Sequence, residues 1–93
     1  MTLGEALFSM NDGIHWVTDF MWIRGGKITY SSPMQELLPV NTRLTPVGRN
    51  DFLEYMEAVG AADGDMEKVY GTYNTFAKSD ETGDYFAYYD NDR

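Results

Sequence analysis

No cysteine occurs in the chain, so neither a disulfide framework nor a thiolate metal site is open to it, and its core must hold without covalent staples. A reducing, cytoplasmic setting fits that absence. Histidine occurs once, at His15. The Ser31-Ser32 pair stands beside Pro33 with no G-x-S-x-G elbow, so no nucleophile has a base to activate it and no residue is placed to shuttle a proton. The expectation is a protein that is not an enzyme, with His15 an ordinary strand histidine. No basic segment leads into an apolar run at the N-terminus, and no apolar stretch approaches the roughly 18 residues of a membrane span. A soluble, unexported protein is expected.

Basic residues are also scarce, seven against fifteen acids, for a net charge of −8. Their distribution is uneven. Residues 1–49 balance Glu5, Asp12, Asp19 and Glu36 against Arg24, Lys27, Arg43 and Arg49, whereas residues 50–93 carry 11 acids against Lys68, Lys78 and Arg93. The whole excess lies downstream, which predicts an acidic face and disfavours direct contact with nucleic acid phosphates. The acid-rich turns do not read as metal sites. Asp63-Gly64-Asp65 and Asp80-Glu81-Thr82-Gly83-Asp84 both lack the calcium-loop spacing and its twelfth-position Glu. Gly25-Gly26 lacks G-x-G-x-x-G spacing and precedes a strand, so it is a turn and not a phosphate cradle. No cofactor or metal is expected.

What is present is a modest core. Ninety-three residues, 43% hydrophobic and 15% aromatic, form one domain of 1–93 that buries roughly 60 to 65% of its unfolded surface and leaves little room for deep cavities. The C-terminal run is the most biased stretch. Tyr85, Phe86, Tyr88 and Tyr89 stand between Asp80, Glu81 and Asp84 on one side and Asp90 and Asp92 on the other. Such rings favour a strand and large buried area, while the flanking carboxylates form a negative rim.

Local patterns place the elements. Thr2-Leu3-Gly4-Glu5 has capping-box form, predicting a helix over about 3–11 that ends at Gly13. Ile14 to Ile23 is rich in β-branched and aromatic residues, and Arg24-Gly25-Gly26-Lys27 turns it into a second strand ending at Ser31. Ser32 and Pro33 predict a short helix to Leu38, closed by Pro39. An edge strand is expected around Arg43-Leu44-Thr45, since Pro46 removes a ladder donor. Asn50 then caps a helix over 51–59, burying Phe52, Leu53, Tyr55, Met56 and Val59, with Asp51, Glu54 and Glu57 outward and Gly60 closing it. Met66, Val69, Tyr70, Tyr73 and Phe76 predict a helix over about 65–77; the same residues also fit a strand over about 71–78 paired with Tyr85–Tyr89. The fold class expected is α+β, a small antiparallel sheet made of the hairpin 14–31 and a C-terminal strand 85–89, with helices packed on one face.

The sequence Gly4-Glu5-Ala6-Leu7, then Met10 and Gly13, then a strand closed by Trp22 and the turn Gly25-Gly26-Lys27-Ile28-Thr29-Tyr30, resembles the start of small phage domains of the Thoeris anti-defence nucleotide-sponge type. The likeness spans residues 4–31. It departs in its spacing, one residue longer, in lacking a basic residue before the tryptophan, and in lacking the closing acidic-tryptophan segment. The resemblance implies a small phage or mobile-element protein. It also implies one of two functional expectations, an oligomeric sponge for a small nucleotide signal, with Trp16, Trp22, Arg24, Arg43 and Arg49 forming its site. The favoured expectation comes from charge. It is a small acidic binding protein that inhibits or modulates a basic, nucleic-acid-handling host protein, with acids spaced as in a nucleic-acid mimic. Its candidate binding residues are Asp51, Glu54, Glu57, Asp80, Glu81, Asp84, Tyr85, Tyr88, Tyr89, Asp90 and Asp92. Exposed rings among these and Tyr55, Tyr70 and Tyr73 are its expected anchors. Direct nucleic acid and membrane are not expected partners, and homo-oligomerisation is compatible with either function.

Overall fold

Chain reversal at Gly25-Gly26 sets the first pairing. The two glycines take φ of 58° and 77°, a left-handed pair that other residues adopt only with strain and that matches the twist of a two-residue hairpin. The flanking strands β1 (Phe20–Arg24) and β2 (Lys27–Ser31) pair antiparallel, with Trp22 opposite Thr29. The structure, a computed structural model, describes residues 1–10, 20–31 and 38–90. The expectations for Gly13, for extended chain over 14–19 and for a helix from Ser32 lie outside the described residues, as do His15, Trp16 and Asp92.

Helix α1 (Leu3–Met10) begins as its capping box predicts. The Thr2 N–H donates to Glu5 Oε1 at 2.9 Å and the Glu5 N–H donates to Thr2 Oγ1 at 3.3 Å. These bonds hold the Glu5 carboxyl below its ordinary pKa, the backbone bond from Thr2 contributing most. Ahead of α1, Met1 and Thr2 run beside the next strand: Leu44 N–H donates to Met1 O at 2.7 Å, and Thr2 bridges Arg43. Strand β3 (Leu44–Pro46) is short, lies at the sheet edge and ends on its proline. That position tolerates the missing donor.

Helix α2 (Arg49–Ala58) starts earlier than Asn50 predicts, because Gly48 is its N-cap and makes no side-chain capping bond. The physical reason is the sheet. Val47 N–H still donates to Phe76 O at 3.0 Å, so the chain leaves the ladder only at Gly48 and turns helical immediately. Gly60, with φ of 79°, follows the helix end.

The segment after Asp63 divides between the two patterns it fits. Helix α3 (Asp63–Gly71) stops well short of Ala77, and strand β4 (Thr75–Ser79) follows, paired with β5 (Tyr85–Tyr88). A continuous helix over 65–77 is therefore incorrect. Gly71 and Thr72 are poor helix formers, and Thr75–Ser79 gains a full ladder against β5, so pairing prevails over the apolar period.

The sheet is five-stranded and antiparallel, in the order β2-β1-β5-β4-β3. Strand β5 lies at its centre and its side chains alternate between faces. Phe86 and Tyr88 join Phe20, Trp22, Leu44 and Ala77 beneath Leu3 and Ala6 of α1. Tyr85 and Ala87 join Met21, Ile23 and Phe76 beneath Phe52, Leu53 and Met56 of α2 and Val69 of α3. Helices α2 and α3 thus share one face as expected, while α1 covers the other. The α+β class stands.

Phe86 lies directly opposite both Trp22 and Ala77. Its ring is 6.4 Å from Trp22, parallel within 2°, and 6.0 Å from Phe20. Phe86→Ala should cost about 3 to 5 kcal/mol, measured by urea unfolding. A loss below about 1 kcal/mol would mean that the core does not centre on β5.

Candidate functional site

Three regions gather polar and charged groups: the β4–β5 turn, the outer surface of α2 and α3, and a cleft at the far end of β4.

The turn is where the expected acidic-aromatic surface is most altered. Asp84 is 4% exposed. Its Oδ2 accepts from Trp22 Nε1 at 3.1 Å and lies 3.8 Å from Arg24 Nε. Asp84 N–H donates to Thr82 Oγ1 at 3.3 Å, and Ser79 N–H donates to Asp84 O at 2.7 Å. A partner cannot use this carboxylate without opening the core, so it is withdrawn from the binding set: its work is to satisfy a buried indole N–H. Asp80 is exposed, but Thr45 Oγ1 donates to it, and its N–H donates to Arg43 O at 3.2 Å. Glu81 is exposed. Arg24, Arg43 and Lys78 stand in or beside the strand ends at this turn, so its acids are interleaved with cations and do not form a one-signed face.

The rings are likewise sorted by the sheet. Tyr88 is fully buried, its hydroxyl donating to Met1 Sδ at 3.4 Å, and Tyr73 is buried too. Neither is an exposed anchor, because each fills a core layer on one side of the sheet. Tyr85 is half-buried and stacked on Tyr55 with centroids 3.9 Å apart, and Lys78 Nζ stands 5.8 Å from the Tyr85 ring centroid. Tyr70 and Tyr89 do reach solvent, at 65% and 43% exposure. Asp90 is half-buried and fixed through its backbone: Asn74 Nδ2 donates to Asp90 O at 3.1 Å and Asp90 N–H donates to Asn74 Oδ1 at 2.8 Å.

The outer surface of α2 and α3 is different. Asp51, Glu54 and Glu57 are all exposed on α2, and Glu54, Glu57 and Ala58 line a shallow concavity of about 450 Å³. On α3, Asp63, Glu67 and Tyr70 are exposed at i, i+4 and i+7, one stripe of the helix. Two cations belong to this layer, and both lie over rings. Arg49 stands 5.5 Å from the Phe76 centroid and Lys68 stands 4.0 Å from that of Tyr30. Asp65 turns inward, accepting from Tyr30 Oη, and from Ala62 N–H at 3.3 Å. Residues 49–71 carry six acids against these two cations, half of the chain's net charge.

Burial, then the bond to Asp65 and that carboxylate's charge, push the Tyr30 hydroxyl well above its ordinary pKa. Asp63-Gly64-Asp65 is not a cage of oxygens, and among the described residues no group of three or more His, Cys, Asp or Glu is arranged to hold a metal ion. No described helix is long and apolar enough to cross a membrane.

Of the residues proposed for a nucleotide site, Trp22, Arg24 and Arg43 lie about the β4–β5 turn, Arg49 lies apart from them, and Trp16 is outside the described residues. Trp22 is 9% exposed with its indole committed to Asp84. Arg24 pairs with Asp84 near Ser79, whereas Arg49 reaches Tyr73 O beyond the other end of β4, about 13 Å away along the strand. Arg49 instead lines a half-open cleft of about 520 Å³ with Val47, Asn74, Thr75, Phe76 and Tyr88 among its walls. Sequence reasoning missed this cleft. Its lining comes from four separate stretches of chain, and no local spacing announces it.

Asp84→Ala leaves the Trp22 N–H buried without an acceptor and should cost about 1 to 3 kcal/mol, whereas Asp84→Asn keeps an acceptor oxygen and should lose less. Urea unfolding of the two variants checks this. Tyr30 gives a second measurement. Because its folded pKa lies above its unfolded one, its contribution is fully present below the ordinary tyrosine pKa and is lost as pH rises above it. Tyr30→Phe should flatten that alkaline limb of stability, read by denaturation at increasing pH.

Comparison with known protein families, characterised proteins and solved structures finds no match.

Proposed function

We propose that the protein is a non-enzymatic binding module that docks the acidic outer surface of α2 and α3 onto a basic surface of a nucleic-acid-handling protein and thereby inhibits or modulates it. The observation that carries this reading is the disposition of charge in that layer. Asp51, Glu54, Glu57, Asp63 and Glu67 face solvent, while Arg49 and Lys68 lie over Phe76 and Tyr30. Arg49 and Lys68 are themselves exposed and offset part of this charge, and the net negative surface that remains raises the encounter rate with Lys- and Arg-rich clefts, an effect that falls with salt.

Charge alone gives little affinity, since exposed ion pairs contribute about 0 to 1 kcal/mol each. An anchor is needed, and Tyr70 fits: it is 65% exposed and shares a helix stripe with Asp63 and Glu67. The spacing of Asp51, Glu54 and Glu57, roughly 4 to 5 Å per step along the axis, supports imitation of a phosphate row. The turn acids Asp80 and Glu81 are peripheral in this reading, because neighbouring cations offset them.

The test is a pull-down from host lysate with a salt titration, using matched variants. Reversal of Asp51, Glu54, Glu57 and Glu67 to Lys should abolish capture of a salt-sensitive partner. Tyr70→Ala should weaken it by about 2 kcal/mol or more. Reversal of Asp80 and Glu81 should leave it within about 0.5 kcal/mol of the unaltered protein. A partner retained after all four helix reversals, with circular dichroism unchanged, overturns the assignment of this surface.

A further inference from the structure

The cleft at the Thr75 end of β4 is a second polar site, which shares no lining residue with the acids of the proposed docking surface although its Arg49 begins α2. Its floor is rigid. Thr75, Phe76 and Tyr88 stand on the paired strands β4 and β5, each less than a tenth exposed. One wall is clamped by Asn74, whose N–H donates to Tyr88 O at 3.2 Å and whose Oδ1 accepts from Thr75 Oγ1 at 2.9 Å and from Asp90 N–H at 2.8 Å. The opposite wall, Met1, Pro46 and Val47, is apolar and is tied to the sheet by the Val47–Phe76 backbone bond. A preformed concavity of about 520 Å³ is of the size that small-molecule sites occupy.

Arg49 decides the sign of its ligand. Its planar fork carries five N–H donors. Stacking 5.5 Å from the Phe76 centroid and one long bond, 3.4 Å to Tyr73 O, orient the fork while leaving most of those donors to solvent. Beside the α-ammonium group of Met1, Asp90 is the other charged residue of the lining. It balances Arg49 locally and resists a second anionic group on the same ligand. We infer that this cleft binds a small organic anion, a carboxylate or a phosphate monoester attached to a compact apolar body, with the anionic group on the Arg49 guanidinium and the body against Phe76 and the Pro46–Val47 wall.

Amide chemical-shift titration of the full chain tests this with four probes of similar body: benzoate, phenyl phosphate, neutral benzyl alcohol and cationic benzamidinium. Saturable shifts confined to residues 47–49, 73–76 and 88–90 are expected from benzoate or phenyl phosphate, and whichever binds tighter identifies the anion. Benzyl alcohol and benzamidinium should bind roughly tenfold or more weakly, and Arg49→Ala should weaken the anions by a similar factor, since it removes a charge-assisted bidentate contact. Equal binding of the neutral or cationic probe overturns the inference. So does the absence of saturable shifts with either anion at about 10 mM, a concentration at which a ligand of millimolar Kd would be mostly bound. The ligand comparison on the unaltered protein decides the question even if Arg49→Ala perturbs the fold.

Discussion

The bond from the Trp22 indole to the Asp84 carboxylate joins residues 62 apart in sequence, and much of the architecture depends on the pairing it accompanies. Strand β5 has to insert between β1 and β4 for the sheet to exist as one layer. A register error of one residue would turn Phe86 and Tyr88 to the α2–α3 side and leave Tyr85 and Ala87 beneath α1. The buried carboxylate opposes such a slip, because moving it would leave an indole N–H and a charge unsatisfied in the interior. The parallel stack of Trp22 on Phe86 adds shape to the same constraint.

That constraint also divides the acids between tasks. A carboxylate in the turn after β4 is close to strand ends that carry Arg24, Arg43 and Lys78, so it is either buried, as Asp84 is, or has neighbouring cations, as Asp80 has. Apart from Asp65, which turns inward to Tyr30, the carboxylates of α2 and α3 are exposed, and the cations of those helices lie over aromatic rings. Half of the net negative charge therefore lies on the helices, although the densest run of acids in the chain lies around β5. The rings separate in the same way. Alternation along a central strand buries Tyr88 completely and half-buries Tyr85 against Tyr55, whereas Tyr70, on the outer stripe of a helix, has no layer to enter.

The cleft beside Arg49 arises from the same geometry at the other end of β4. There the short edge strand β3 ends at Pro46, the chain departs at Gly48 to start α2, and the N-terminal residues run alongside Arg43 and Leu44. The exit of β3 into α2 and the passage of the N-terminal residues meet at the corner where the concavity lies.

Much of this was legible locally. The capping box at Thr2 and Glu5, the Gly25-Gly26 hairpin, the edge strand ending in Pro46, the outward stripe Asp51-Glu54-Glu57 and the strand at Tyr85 are set by dihedral preference, side-chain reach and periods of 2 or 3.6 residues, all of which act within a few positions. The sequence alone therefore determined an α+β chain with a central aromatic strand and its negative excess in the second half. Only the tertiary structure decided that residues 75–79 are strand, because their helical and extended patterns differ little until β5 offers a ladder. Likewise, nothing within the run 80–92 distinguishes Asp84 from Asp80, or Tyr88 from Tyr89. Their separation into core and surface comes from Trp22, Arg24 and Met1, which lie more than 50 positions away in sequence and meet them only when the sheet closes.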